Sequence, residues 1–296
     1  MKAGKDGKLA GQSKPRQYSG RSSSRWLETI LYVPTLYGIG WVIARPLAFV
    51  APSLRLDQVN LLGAVISLML LLLTLPLRLR RAWRETMPWR TLGVMARPLA
   101  ILRAFLGGLL KAILLLALEA GILLLVGNAQ WRGLAPLEVG EMLNAVTLMV
   151  GVGFAEELVF RGWLWEELQH LMAPQIALLV QAGIFALVHP WSQNGWQGAV
   201  GLLVGLILLG LNLALQRRAD GGVIWGAVGL HGGLVGGWFA LQAGLLELSA
   251  TTPTWLVGPG GSQPNPIGGV IAYTGLGLLL LARRRYWRVG MQEPSC

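Results

Sequence analysis

The sequence predicts an all-α fold: a polytopic transmembrane bundle of about eight helices with both termini cytoplasmic. Three observations carry this expectation. Of 296 residues, 54% are hydrophobic and only 13% are charged, whereas soluble domains carry about 25% charged residues. The apolar residues fall in repeated blocks, and a helix that spans a bilayer needs roughly 20 of them in a row. Finally, Lys and Arg concentrate in an N-terminal tail and in alternate loops, the distribution that sets membrane topology.

The chain opens with "MKAGKDGKLAGQSKPRQYSGRSSSR". Residues 1–25 are rich in Lys, Arg, Ser and Gly and cannot bury a core, so they read as a disordered basic cytoplasmic tail. A transit peptide, also Arg- and Ser-rich and poor in acids, is the lesser alternative. No short apolar region with a cleavage site follows, and the first span reads as a retained anchor. Residues 26–290 then form one integral membrane domain. Its spans are expected at about 29–51, 60–77, 101–126, 142–163, 175–190, 197–216, 222–246 and 267–282.

An even number of spans puts both ends on one side, and the basic residues agree. Lys2, Lys5, Lys8, Lys14, Arg16, Arg21 and Arg25 precede the first span, and Arg78, Arg80, Arg81, Arg84, Arg90, Arg97 and Arg103 follow the second. Arg217 and Arg218 follow the sixth, and Arg283, Arg284, Arg285 and Arg288 follow the eighth. The opposite loops hold only Arg55 and Arg132. This placement accounts for the net charge of +11 without nucleic acid, and membrane lipids are the expected surroundings, in the plasma or another inner membrane. The single cysteine, Cys296, excludes an intramolecular disulfide. A prenylation box needs its cysteine four residues from the end, so the chain is not expected to be a prenylation substrate itself.

Spans six and seven carry small residues at helical spacing: Gly201 with Gly205, and Gly229, Gly233 and Gly237 beside Gly232 and Gly236. Such rows let helix backbones approach closely in lipid, and plain packing is their preferred reading. Buried charge is more demanding, since a central ionised side chain costs at least roughly 2.5–3.5 kcal/mol and needs a partner or a wet cavity. Arg45, Lys111 and Glu119 are read as structural. Lys111 and Glu119 share one helix face and so could pair with other spans.

The stretch "GVGFAEELVFRGWLW" places Glu156, Glu157 and Arg161 in an otherwise apolar segment. Glu157 and Arg161 are four apart, so they stack and pair on a helix; Glu156 points about 100° away and has no local partner. Of three histidines, His189 in "FALVHPW" and His231 in "GLHGGLVGGW" lie at or within spans, while His170 reads as interfacial. If the helix turns at Pro174, Glu156 lies 17 residues before residue 173 and His189 lies 16 after it. At about 1.5 Å per residue the two come level in an antiparallel hairpin. A sheltered carboxylate beside two imidazoles can hold and deprotonate a water, which is a hydrolase arrangement. A buried polar network that only locks helices together stands as the other reading of the same residues.

These residues carry a family likeness. "EELVFR" reads as EExxxR, "FALVH" as FxxxH, and His231 falls where a third motif, HxxxN or HxxxD, is expected. Their order and spacing over residues 140–245 resemble the CPBP family of intramembrane proteases, which includes type II CAAX prenyl endopeptidases and bacteriocin-immunity proteins. The resemblance implies an eight-helix bundle with a cavity in the membrane and a metal-free endopeptidase. Glu156 would activate water, Glu157 and Arg161 would support the site, and His189 and His231 would orient the water or polarise the scissile carbonyl. The implied substrate is a peptide or protein, membrane-anchored or prenylated. Two histidines and a carboxylate can also make a zinc site with an open position; a divalent metal is the lesser alternative to no cofactor. One departure stands out: four residues after His231 the chain has Val235. Losing one oxyanion donor can cost roughly 100- to 1000-fold in rate, and Asn212 is a candidate substitute. A non-catalytic member acting in immunity, assembly or scaffolding is therefore the second reading, and a transporter a distant third.

Overall fold

The computed structural model describes residues 22–287 other than 52, 135–136, 193–194 and 262. Eight principal helices follow in chain order: α1 (Ser22–Ala44), α2 (Leu56–Trp83), α3 (Pro98–Leu125), α4 (Val139–Leu171), α5 (Pro174–Leu187), α6 (Gly195–Ala219), α7 (Trp225–Ala240) and α8 (Val270–Ala282). Residues 1–21 of the expected tail and Cys296 lie outside the described residues. Helix α1 already begins at Ser22, inside the stretch read as tail.

Each expected span coincides with a helix, but the helices differ in length. Five stretches are long and apolar enough to cross a membrane: Trp26–Val50, α2, α3, α4 and α6. Helices α5 and α8 are apolar but shorter. Among the described residues the bundle is joined by one two-stranded antiparallel ribbon of β1 (Ala129–Trp131) and β2 (Leu246–Leu248), with Gln130 opposite Glu247. The Arg132–Glu247 ion pair lies at its end.

Burial along α3 shows how the bundle is built. Ala104, Gly108, Ala112, Leu116 and Ala120 recur every fourth residue and are buried. Leu99, Leu102, Leu106, Leu110 and Ile113 between them are exposed, as a lipid-facing surface must be. The narrow inward stripe lets α7 come close. A Cβ built on Gly229 would lie 2.2 Å from the carbonyl oxygen of Phe105, so only glycine permits that contact. The small-residue rows therefore serve packing, as expected.

The pair α1–α2 lies against the rest through Leu36, Leu71, Leu75 and Leu79, which join a core with Leu158, Trp163, Leu168 and Leu178. Several arginines assigned from the sequence to topology prove to be buried structural groups. Arg217 donates to the backbone oxygens of Gly222, Thr91 and Arg161 and pairs with Glu166. Arg218 donates to the carbonyls of Tyr286 and Trp287. Arg283 donates to the Asn212 carbonyl and to Gln216. Helix ends and loops leave carbonyls without intrahelical partners, and these guanidinium groups satisfy such carbonyls at Thr91, Gly222, Tyr286 and Trp287.

Candidate active site

From the sequence a span is expected over 142–163, in a helix that continues to about Ala173 if it turns at Pro174; α4 does run on to Leu171, and it is irregular. The α-helical turn Gly153–Glu157 lies between two π-helical stretches, Leu148–Val152 and Leu158–Leu164. Wide π turns are rare and recur at functional sites. They also reset which faces of the helix meet its neighbours. One neighbour is α7, whose Gly232 would, with a Cβ, approach the Met149 carbonyl oxygen to 1.9 Å. That close crossing brings His231 against α4.

Glu157 and Arg161 pair as their spacing predicts, with Nη1 donating to Oε1 over 2.8 Å and both side chains fully buried. The guanidinium carbon lies 4.1 Å over the Phe185 ring, a cation–π contact of the kind favoured where charge is desolvated. His231 shares the same carboxylate oxygen, its Nδ1 standing 2.9 Å from Glu157 Oε1. The sequence reading directs both histidines to Glu156; in the structure His231 also engages Glu157, through its other ring nitrogen.

Glu156 points elsewhere, as expected, and its side chain keeps 30% exposure against 0% for Glu157. The turn between Leu171 and Pro174 folds α5 back so that His189 Nε2 comes within 3.2 Å of Glu156 Oε2. His231 Nε2 lies 3.9 Å from that oxygen. The His189 approach is too bent to qualify as a hydrogen bond, and Oε2 has no aligned donor among the described residues.

The network assigns the tautomers. His189 Nδ1 lies 2.6 Å from the Phe185 carbonyl oxygen, which can only accept, so Nδ1 carries the hydrogen. Glu157, held by Arg161, likewise accepts from His231 Nδ1. In their neutral forms both imidazoles then present a bare Nε2 beside the Glu156 carboxylate. Three acceptors facing one point call for a shared proton or for a donor such as water between them.

Glu156 and His189 border a cavity of about 400 Å³. One wall is Ala155, Val159, Phe160, Val188 and Pro190; the other comes from α1 and α2. No described group of three or more His, Cys, Asp or Glu residues is arranged to hold a metal ion.

The remaining sequence candidates are placed as follows. Val235 is half-buried one turn beyond His231 and brings only hydrocarbon. Asn212 is no substitute donor: its Nδ2 already donates to the Leu208 and Leu276 carbonyls. Lys111 donates to Gly107 O on its own helix, and Glu119 is buried among Leu115, Leu116 and Leu234; neither forms an ion pair among the described residues. Glu119 faces hydrocarbon, whereas Lys111 lies close enough to Asp220, in the loop after α6, and to Arg283 to feel their charges without forming an ion pair. The Arg45 guanidinium lies 4.9 Å over the Trp41 ring. His170 stacks on Trp83 with centroids 4.0 Å apart.

Some supporting residues escaped the sequence reading. Buried Gln181 donates to the Gly210 carbonyl, which also lies 3.4 Å from Arg161 Nη2; a lone amide in an apolar span was the available signal. Glu167 Oε1 accepts from Arg78 Nε at 2.8 Å and Trp163 Nε1 at 3.0 Å, and Oε2 accepts from Thr29. Thr74 donates to Leu70 O and accepts from the Tyr32 hydroxyl. These bonds tie α1 and α2 to each other and to α4.

Comparison with known families divides the chain the same way. Residues 138–236 match the model of the type II CAAX prenyl endopeptidase Rce1-like family. Residues 11–87 match a domain of unknown function, DUF8676. No curated protein and no solved structure gives a significant match.

Proposed function

We propose that this protein is a membrane-embedded endopeptidase that hydrolyses a peptide bond with water activated by Glu156, a reading supported by the match of residues 138–236 to the Rce1-like family, which supports a CPBP assignment. The observation that carries the reading is the convergence of Glu156 Oε2 with the Nε2 atoms of His189 and His231 beside an apolar cavity.

In this mechanism a water donates one hydrogen to Glu156 Oε2 and the other to an imidazole Nε2. Its lone pair is thereby aimed at the scissile carbonyl. Attack transfers a proton to Glu156, which returns it to the departing amine; general acid–base transfer of this kind supplies about 10²- to 10⁴-fold. The proton shared by the cluster resides on the Nε2 of the other imidazole, which donates it as a hydrogen bond to the oxyanion and keeps it when the carbonyl re-forms. Glu157 and Arg161 touch no reacting atom and act as positioning residues: Glu157 fixes the His231 ring, and Arg161 neutralises Glu157. The mechanism uses no metal. Its substrate is a peptide or protein held in or at the membrane, and prenylated substrates belong to the same proposal. Eight spans with both termini cytoplasmic, in the plasma or another inner membrane, complete it.

The test is cleavage of a reporter peptide by the protein in reconstituted membranes. Glu156→Ala and His189→Ala should each abolish turnover with the fold intact; unchanged cleavage in both sinks the proposal. Val235 favours a second reading, a non-catalytic assembly or immunity protein, which predicts no hydrolysis by the wild type and altered partner retention in the two variants.

A further inference from the structure

The cavity beside Glu156 belongs only in part to the Rce1-like domain. Val33, Leu36 and Tyr37 of α1 and Ala64, Ser67 and Leu68 of α2 form its opposite wall, and all six lie within the domain of unknown function, residues 11–87. We infer that this N-terminal helix pair is the specificity-determining wall of the active site, and that it selects an uncharged, apolar peptide segment next to the scissile bond. The inference rests on the proteolytic reading of Glu156.

The wall carries no ionisable group except the Tyr37 phenol, so a charged side chain entering it would lose its hydration without a partner. The volume falls within the roughly 300–1,000 Å³ range of sites that enclose a ligand. Because Glu156 and His189 are themselves part of the lining, whatever fills the cavity touches the reacting groups. It is therefore the portion of substrate flanking the bond to be cut.

Two polar groups distinguish a peptide from a plain hydrocarbon chain. Ser67 Oγ donates its hydrogen to Gly63 O over 2.8 Å, which leaves its lone pairs as acceptors, and the Tyr37 hydroxyl is both donor and acceptor. A peptide backbone has N–H and C=O groups that need such partners in a low-dielectric site; an isoprenoid has none. The wall is also held in register rather than loosely apposed. Arg78 and Thr29 bind Glu167 of α4, and Tyr32 binds Thr74 between the two helices.

Ala64 is the useful test position because it is exposed at its place on α2 and lines the cavity, so a larger side chain fills space without displacing core. Reporter peptides carrying Gly, Ala, Leu or Asp beside the scissile bond are compared in reconstituted membranes. Ala64→Trp is expected to lower kcat/KM for the Leu reporter at least tenfold, since a single methylene in a hydrophobic pocket is worth roughly 10- to 200-fold. The Gly reporter should change less than twofold, and Asp should be rejected by the wild type. An equal loss for every reporter, or no loss at all, overturns the inference.

A second arm needs no turnover. A benzophenone side chain is placed at Ala64, or at the exposed control position Leu61, in Glu156→Gln protein, and a labelled Leu- and Ala-rich peptide is photo-crosslinked. Crosslinking at 64 but not 61, competed by unlabelled peptide, supports the wall even if the wild type hydrolyses no reporter. No crosslink at 64, or competition there by farnesyl cysteine in place of peptide, overturns it. Failure of proteolysis and failure of the wall are thus read separately.

Discussion

His189 Nε2 stands 3.2 Å from Glu156 Oε2 across the turn between α4 and α5. Two residues that are 33 apart in sequence meet because the arms on either side of Pro174 are nearly equal in length. The Phe185 carbonyl holds the far side of the ring at 2.6 Å, so the nitrogen facing Glu156 is the one free to exchange a proton.

The first prediction isolates that relationship. Glu156→Gln keeps the shape of the side chain and removes its basicity, so kcat should fall by at least about 100-fold with little change in melting temperature. Initial rates on a reporter peptide and a thermal scan in detergent are the two measurements. A rate within a few-fold of wild type would show that Glu156 is not the base.

Breaking the pair beneath the site should act on stability. Glu157 and Arg161 are both fully buried, and removing one member of such a pair costs about 3–5 kcal/mol because the other charge is left uncompensated. Arg161→Met alone should therefore destabilise strongly. The double variant Glu157→Gln with Arg161→Met should recover much of the loss while staying inactive, since His231 loses a charged acceptor for its Nδ1. Denaturation of the wild type, both single variants and the double variant completes the cycle.

Val235 offers a gain-of-function test. Restoring an amide one turn beyond His231 with Val235→Asn should raise kcat at least tenfold and leave KM nearly unchanged, because an oxyanion donor acts in the transition state. A rise in KM with constant kcat would instead indicate a contact made to bound substrate.

The anchor of the N-terminal helix pair should be similarly sensitive. Glu167 is buried and accepts from Arg78, Trp163 and Thr29. Arg78→Ala leaves that carboxylate short of its cation, and a loss of about 3–5 kcal/mol is expected. Limited proteolysis between α2 and α3 should also become faster; protection equal to wild type would show that the helix pair is held by apolar packing alone.

A pH effect follows from Asp220, in the loop between α6 and α7. Burial pushes its carboxyl up from an ordinary 3.8 to about 6, against the Gln216 bond and the charges of Lys111 and Arg283. A raised carboxyl stabilises the fold while protonated, so that contribution is complete below pH 4 and is lost as pH rises to about 6. The change amounts to about 3 kcal/mol, at 1.36 kcal/mol per unit. Asp220→Asn should flatten the stability profile across that window and be the more stable protein above it. Parallel pH slopes for the two proteins would refute this.

The helices were legible because they are a one-dimensional property. Runs of apolar residues mark every principal helix, five of them of spanning length, and Pro174 and Pro98 sit at the starts of α5 and α3. Motif spacing carried further than usual at the candidate site, since equal arms about one turn bring Glu156 and His189 level whatever else surrounds them. The internal role of the buried arginines was not legible for a corresponding reason. Arg78 and Arg217 stand at helix ends where a topological charge and an internal cation have the same sequence pattern, and only the position of Glu167 or Glu166 on a different helix separates the two.

From the sequence alone came the class of fold, the membrane setting, the Glu157–Arg161 pair and the five residues that gather at the candidate site. The tertiary structure decided which carboxylate each histidine touches, that Asn212 is already committed elsewhere, and that α1 and α2 close the cavity. Those facts depend on how far each helix is rotated about its axis when it meets its neighbours. Rotation is fixed by contacts such as Gly232 on Met149 and by the π turns on either side of Glu156, and neither is written in the spacing of residues along the chain.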